Sequence, residues 1–457
     1  MAANENTSAV GSVEKVPFLE KIAYGLGDAG CNFIWTTVGM FLTVYYTDNV
    51  GIAAGVVGTI MLLTRLLDGI SDLIMGNIVD HTHTRWGKAR PWVGLMAPFM
   101  GIGLVLLFNV PGGLSGSGKI VYAFITYILL AVVIFTACNL SYGTMMSFMA
   151  PDQQDRTTLS SVRFFCTWIA VLIIIYTAPG MIASIGYRWM SVIYGIAGTV
   201  LILITFFFCK ERTIGESVEN KREDIPVKQA LVLLFKNKYF IFVALLFIIN
   251  YAALNLTNGI AIYYIRDILG NMGAYGTVNT MGFLPSIILL PVFPKIVEKT
   301  GKWKCLMIGF IMQIIGYLVI LATSGSFAML LIGLALVGVG RVPHSAGMFA
   351  MIADVIDYGD WKFGKRVEGM TYSAASFGMK VGTGLGSAVV GWGLAIGGYS
   401  GEAAVQSASA LFAIKALYTW VPLILIVIGT VILAMCNLDK IYPTIVKELA
   451  ERKTRKA

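Results

Sequence analysis

Charge is scarce in this chain and histidine almost missing. Asp, Glu, Lys and Arg make up 13% of its 457 residues, about half their share in an ordinary soluble domain. Hydrophobic residues reach 57%, and long amphipathic helices that could cover one very large soluble core are not present. A soluble globule is therefore excluded. Three His, at positions 81, 83 and 344, are too few and too scattered for a metal centre. The six Cys (31, 138, 166, 209, 305 and 436) lie mostly in apolar runs without ligand-like spacing, and read as small buried hydrophobes, neither disulfides nor metal ligands. An enzyme would need a nucleophile or metal cluster at membrane depth; none is expected, and no cofactor. The first twenty residues, MAANENTSAVGSVEKVPFLE, hold no apolar core before a small-residue cleavage site, so no removed signal peptide is expected.

What is abundant has a membrane profile: 50 Gly, 21 Met, 20 Tyr and 9 Trp, with small residues for close helix contact and aromatics for the interfaces. Twelve apolar segments can be read, at about 22–47, 54–79, 91–110, 120–149, 161–184, 188–209, 239–265, 273–297, 304–323, 326–353, 368–397 and 408–436. Each can cross about 30 Å of hydrocarbon at 1.5 Å per residue. Helices are the only sensible form, because unpaired backbone in lipid is too costly and barrel strands would be half this length. The expectation is an all-α membrane protein of twelve transmembrane helices in two six-helix bundles. Residues 1–209 hold the first bundle and a short tail, 210–238 a mixed-charge linker with room for a short surface helix, 239–437 the second bundle, and 438–457 a second tail. The turns at 80–91 and 297–305 share a basic Gly-Lys core in corresponding places, a weak echo of an internal repeat.

Lys and Arg concentrate in the tails, the linker and every second turn, while the other turns hold little more than Lys119, Arg188 and Arg266. By the positive-inside rule both termini are expected in the cytoplasm. The net charge of +9 then reflects topology and contact with anionic lipid, and nucleic acid is not a needed partner.

A few polar residues stand inside the apolar segments. Asp68 and Asp72 lie a turn apart on one helical face, and two such carboxylates persist in low dielectric only with a cation, protons or a basic partner between them. They read as a cation or proton site; a structural pair with Arg65, which faces the same way, is the alternative. Thr136, Asn139 and Tyr142 form a polar ridge at spacing three, suited to Na⁺ or sugar hydroxyls, or else to interhelical hydrogen bonds. Asp28 and Asn32 lie a turn apart with Trp35 just beyond, and the ring and the amide together suit a sugar, although Trp35 could equally be an interface anchor. Lys380 has no carboxylate in its own segment, so its partner must come from another helix or from substrate. Arg163 either pairs with loop acids such as Asp152 or Asp155 or points into a cavity. Asp80, Arg85 and Arg90 in the first half, with Asp354 and Arg366 in the second, could make ion pairs that open and close as the halves rock, or form a solvated loop.

Over nearly its whole length the chain resembles the glycoside–pentoside–hexuronide:cation symporters of the major facilitator superfamily, the group typified by the melibiose permease. The marks are YGLGDAGCN (24–32), YYTDNVG (45–51), TRLLDGISDLIMGNIVDHTHTRWGKARPW (64–92), NLSYG (139–143), VRFF (162–165) and DVIDYGDWKFGKRVEGMTYSAASFGMK (354–380). The resemblance implies that Asp68 and Asp72, with Thr136 beside them, bind the coupling cation, H⁺ or Na⁺; for Na⁺ the two carboxylates would be its ligands. It also implies that Asn32, Asn139, Arg163 and Lys380 bind sugar or hold the network round it. The chain departs from the melibiose permease at Asn32 and Asn139, amides in place of acids, and at Gly143, in place of an aromatic that stacks on galactosyl rings. Fewer acids beside Arg163 and Lys380 suggest a more positive cavity, suited to a glucuronide; a neutral xyloside-like glycoside or short oligosaccharide fits the amides equally. The expected function is cation-coupled uptake of such a sugar by a monomeric carrier in the bacterial inner membrane, with an ion-independent facilitator or exchanger as the alternative. On this reading cation binding lets the second span pack against the fourth.

Overall fold

The computed structural model describes residues 16–150, 153–212, 227–322, 326–365, 367–403 and 405–456; Asp152 and Arg366 lie outside them. Among the described residues helix dominates, and the sole extended pairing is an isolated bridge between Thr84 and Gly87. In chain order the crossing helices are α1 (Phe18–Val44), α2 (Ala54–Asp80), α3 (Arg90–Leu107) and α4 (Gly116–Met149). One helical run, Gln153–Phe208, then breaks at Gly186, where φ is 77°. A straight helix of its 56 residues would be roughly 84 Å long, nearly three bilayer cores. Glycine takes the left-handed conformation without a Cβ penalty, and the run doubles back as α5 (153–185) and α6 (187–208). The second set is α7 (Lys238–Ile268), α8 (Tyr275–Leu289), α9 (Lys302–Ala322), α10 (Phe327–Phe363), α11 (Glu368–Ile396) and α12 (Ala408–Met435).

Nine helices among the described residues are long and apolar enough to cross a membrane as they stand. Gly186 divides one of them into two. The remaining crossings are α1, which carries Glu20, Lys21 and Asp28 among its apolar residues, and α8, which is short and continues through Phe293–Thr300. Large apolar side chains such as Ile70, Ile74, Phe99, Ile102 and Ile125 stand exposed on the flanks, the faces that lipid covers.

Twelve crossings return both ends of the chain to one face. There the helix Leu438–Lys456 docks on the foot of α10, where the Tyr442 hydroxyl donates to Asp357 at 3.0 Å and the Trp361 indole to Glu448 at 2.6 Å. A short helix, Val227–Lys236, precedes α7. On the same face Glu211 accepts the backbone N–H groups of Lys88, Ala89 and Arg90 at 2.8, 2.9 and 2.6 Å. A carboxylate there satisfies orphan donors at the start of α3 and complements the helix dipole.

The halves meet chiefly along α2–α11, and less extensively along α1–α7 and α5–α8. Without a hydrophobic drive inside lipid, such contacts need backbone proximity. At Gly391 a Cβ would come within 2.7 Å of the Gly58 backbone, so α2 and α11 touch there main chain to main chain. The Tyr176 hydroxyl and Thr280 join α5 to α8 at 3.2 Å.

Candidate functional site

Between the halves lies a cavity of about 470 Å³. Its wall carries three carboxylates, Asp28, Asp68 and Asp72, and three cations, Arg65, Arg163 and Lys380. The formal charge therefore sums to zero. The more positive cavity expected from the sequence is corrected here: Asp28 supplies an acid one helical turn before Asn32, and its Oδ1 lies 3.1 Å from the Arg163 guanidinium. Thr167 donates to the other Asp28 oxygen. Arg163 thus faces Asp28, 135 residues away in sequence and across the bundle, and stands in the cavity wall.

The centre of the site is Lys380. Its ammonium donates to Asp68 Oδ1 at 2.8 Å and to the Asp68 carbonyl at 2.9 Å, and lies 2.7 Å from Asp72 Oδ2. Both carboxylates belong to α2 in the first half and the cation to α11 in the second, so this cluster ties the halves together at mid-membrane. Asp68 is nearly buried, and Asp72 keeps 27% of its side chain open. The same Asp68 Oδ1 also accepts from Thr136 Oγ1 at 2.9 Å, while Oδ2 faces Arg65 at 3.5 Å. Ser71 lies 3.2 Å from the same Thr136 hydroxyl. The second and fourth spans are thus joined through Asp68, Ser71 and Thr136. The contact an incoming cation would disturb is the one with Lys380.

The sequence-derived sugar residues divide in two. Asn32 and Asn139 stand in the cavity wall; Asn32 is held by donating to the Asp28 carbonyl at 2.9 Å. Tyr142 does not line the cavity. It is fully buried, stacked on Tyr24 at 4.5 Å, and each of the two hydroxyls donates to the other's backbone carbonyl. Arg163 sits over its ring at 5.1 Å, so Tyr142 lies behind the cavity wall. Trp35 lines the cavity, but its ring faces are taken: Phe135 stacks on it at 4.0 Å, and the Arg65 guanidinium lies 4.0 Å from the ring centre. Two such groups cannot share one face, so the indole offers substrate an edge and the expected pyranose platform is corrected. Residues that sequence reasoning passed over, Tyr251, Ser376 and Thr383, complete the wall from the second half. Tyr251 and Thr383 gave no signal, being polar groups of a kind scattered through most of the spans.

The four gating candidates among the described residues, Asp80, Arg85, Arg90 and Asp354, do not bridge the halves. Asp354 pairs with Lys302 at 2.6 Å inside the second half. Arg90 donates to the Phe206 carbonyl at 2.6 Å, Arg85 lies over the Trp86 ring, and Asp80 is exposed at the foot of α2; Arg366 lies outside the described residues. Among the described residues, the hydrogen bonds and ion pairs that join the halves lie at Lys380 or toward the face away from the termini, at Thr47, Asp48, Thr59 and Tyr176. The cavity is accordingly closed on that far side.

Residues 23–440 match the family model described as MFS/sugar transport protein. This chain belongs to that family. The carrier is 32% identical to the isoprimeverose transporter of Lactiplantibacillus pentosus, with 96% of this chain and 92% of that protein covered. It is 30% identical to the glucuronide carrier protein homolog of Escherichia coli (strain K12), over 94% and 95% of the two chains. To the inner membrane symporter YicJ of the same organism it is also 30% identical, over 95% of each. The fold resembles the crystal structure of the nucleoside transporter NupG, with a TM-score of 0.63 at 14% identity, covering 90% of this chain and 98% of that one. The protein is a multi-pass membrane transporter of the major facilitator superfamily.

Proposed function

We propose that the carrier couples inward movement of a glycoside or short oligosaccharide to that of H⁺ or Na⁺. The observation that carries this reading is the Lys380 ammonium set against Asp68 and Asp72 in the wall of the polar cavity. A protein cation already occupies the place where two carboxylates would hold a small cation, so Lys380 and the coupling ion compete. When H⁺ or Na⁺ binds, one negative charge is neutralised and the tether between α2 and α11 weakens. The balance of the two conformations then shifts by the difference in their affinities for the ion. Asp68, Asp72 and the Thr136 hydroxyl, with Asn139 nearby, offer an oxygen set for Na⁺; the carboxylates alone suffice for a proton.

The sugar would lie beside this cluster. Asn32, Asn139, Ser376 and Thr383 offer donors and acceptors for hydroxyls, and the Asp28–Arg163 pair offers one of each with charge. A charge-neutral cavity suits an uncharged xyloside-like glycoside in the ion-free state. Loading one cation leaves an excess of +1, which a glucuronide carboxylate would cancel. The names of the relatives include both kinds of sugar, so the two substrates stay in play. The alternative, an ion-independent facilitator, leaves the competition at Lys380 without a use. We also infer that the carrier works as a monomer in the bacterial inner membrane with both termini in the cytoplasm, since Lys and Arg concentrate on the termini face.

Uptake of labelled xylosides, glucuronides and galactosides into right-side-out vesicles tests the proposal, with Na⁺ present or absent at fixed pH and with a pH gradient imposed at fixed Na⁺. Uptake of one sugar class should rise with one ion. Equal rates for all sugars under every ionic condition would sink it.

A further inference from the structure

The motif YYTDNVG is used by none of the chemistry above, and the structure contains it twice. Tyr45–Gly51 at the end of α1 reads Y-x-x-D-x-x-G, and so does Tyr264–Gly270 at the end of α7. Both segments wind as a π-helical turn, Tyr45–Asn49 and Tyr264–Ile268. Matching backbone bonds close both: Val50 N–H to the Tyr45 carbonyl and Leu269 N–H to that of Tyr264, each at 3.1 Å. Both end on a glycine of positive φ, 78° at Gly51 and 63° at Gly270. The first helix of each half thus ends in the same device, on the face away from the termini. Turns of this type inside helices are frequent at functional sites.

The two copies differ at one charged position. Thr47 in the first corresponds to Arg266 in the second, and Arg266 joins the two equivalent acids. Its Nη1 lies 2.5 Å from Asp48 Oδ2, while Nε and Nη2 take the two oxygens of Asp267 at 2.7 and 3.0 Å. Tyr399, after α11, accepts from Arg266 Nη2 at 2.5 Å and reaches both Asp48 oxygens at 3.0 Å. Thr47 meets the Tyr263 hydroxyl at 2.9 Å.

We propose that Asp48, Arg266 and Tyr399 form the latch that closes the cavity on the face away from the termini, and that substrate is admitted from that face only when Arg266 releases Asp48. Arg266 keeps Asp267, which lies in its own half, so it stays paired while the latch is open and Asp48 passes to water. That makes the latch reversible, since neither half is left with a buried unpaired charge. The inference rests on the alternating-access reading above, with the far face taken as the outside.

Labelling tests it without sugar and at one fixed ion concentration, so its failure is distinct from a failure of symport, which appears only in uptake. Ser376→Cys places a thiol in the cavity wall, and its modification by a membrane-impermeant maleimide in right-side-out vesicles is compared with that of the parent protein. The Cys variant should react slowly. Adding Asp48→Asn or Arg266→Gln should speed the reaction by about tenfold, the shift expected when one partner of a partly buried pair is lost. The exchanged pair D48R/R266D should return the rate toward the slow value, which loss of a merely structural residue would not allow. Unchanged rates in both single variants, or a double variant as fast as the singles, overturn the latch. Should those variants fail to fold by size-exclusion, Tyr399→Phe decides, because it removes one hydroxyl and leaves every charge. A rate raised about threefold supports the latch, by the cost of one hydrogen bond; an unchanged rate overturns it.

Discussion

Two clusters join the halves of this carrier, and each sets one cation of the second half against two carboxylates. At mid-membrane Lys380 lies between Asp68 and Asp72; at the far face Arg266 lies between Asp48 and Asp267. They differ in who owns the charges. Both acids of the inner cluster sit on α2, so a small cation that binds them removes the reason for α11 to stay. The outer arginine shares its half with Asp267 and can let go of Asp48 without becoming unpaired. The cations differ as well: an ammonium is a compact point charge that H⁺ or Na⁺ can replace, whereas a guanidinium fork fixed on a carboxylate is displaced far less readily. On this proposal one cluster senses an ion and the other holds a door.

Substitutions that exchange these properties break or sharpen the contrast. The largest effect is expected from Lys380→Arg. A fork on Asp68 and Asp72 should resist the coupling ion, and ion-stimulated uptake should fall by at least about 100-fold, equivalent to about 3 kcal/mol at a buried pair. Initial rates at an ion concentration that half-saturates the native carrier check it. Lys380→Ala should act in the opposite sense on the ion. With the competitor gone, the concentration of activating ion giving half-maximal sugar binding should fall about tenfold, measured by titrating sugar binding with ion in the purified carrier. Thr136→Ala removes a hydroxyl donor from Asp68 and leaves both charges, so ion activation should weaken by about fivefold, one hydrogen bond of about 1 kcal/mol, with the sugar affinity at saturating ion unchanged. Smallest is Arg266→Lys, which keeps the outer charge and loses the fork. Maleimide reaction at Ser376→Cys should quicken by only about twofold, with the ion dependence of uptake unmoved. Were Arg266→Lys to alter ion activation as strongly as Thr136→Ala, the division of labour between the clusters would be wrong.

Much of this was legible in the chain. Charges inside apolar segments marked Asp68, Asp72 and Lys380, because the cost of a lone charge in lipid demands a partner, and Lys380 found one on another helix. Most of the crossing helices followed from apolar length, whereas α1 carries three charges and α8 is short. What stayed hidden depends on contacts that no local pattern encodes. Asp28 meets Arg163 from a different helix, and that pairing turns a seemingly positive cavity neutral. Trp35 and Tyr142 have the right chemistry for a sugar, but only packing reveals that Phe135 and Arg65 take the faces of one and Tyr24 locks the other. Arg266 read as one of the few basic residues in the outer turns; its importance lies in lying opposite Asp48, 218 residues earlier. The charged residues on the termini face could, from sequence, either pair across the halves or form a solvated loop. In this conformation Asp354 and Arg90 bind within their own halves, because the far face is the one that is closed.

The central claim is that Asp68 and Asp72, released from Lys380 by an ion, couple that ion to sugar movement. The most direct test compares the native carrier with Asp68→Asn in right-side-out vesicles, following both accumulation of labelled sugar under an imposed Na⁺ or H⁺ gradient and exchange of sugar at equilibrium. The native carrier should concentrate sugar and the variant should not, while the variant still exchanges sugar across the membrane. An Asp68→Asn carrier that concentrates sugar as well as the native one would contradict the account.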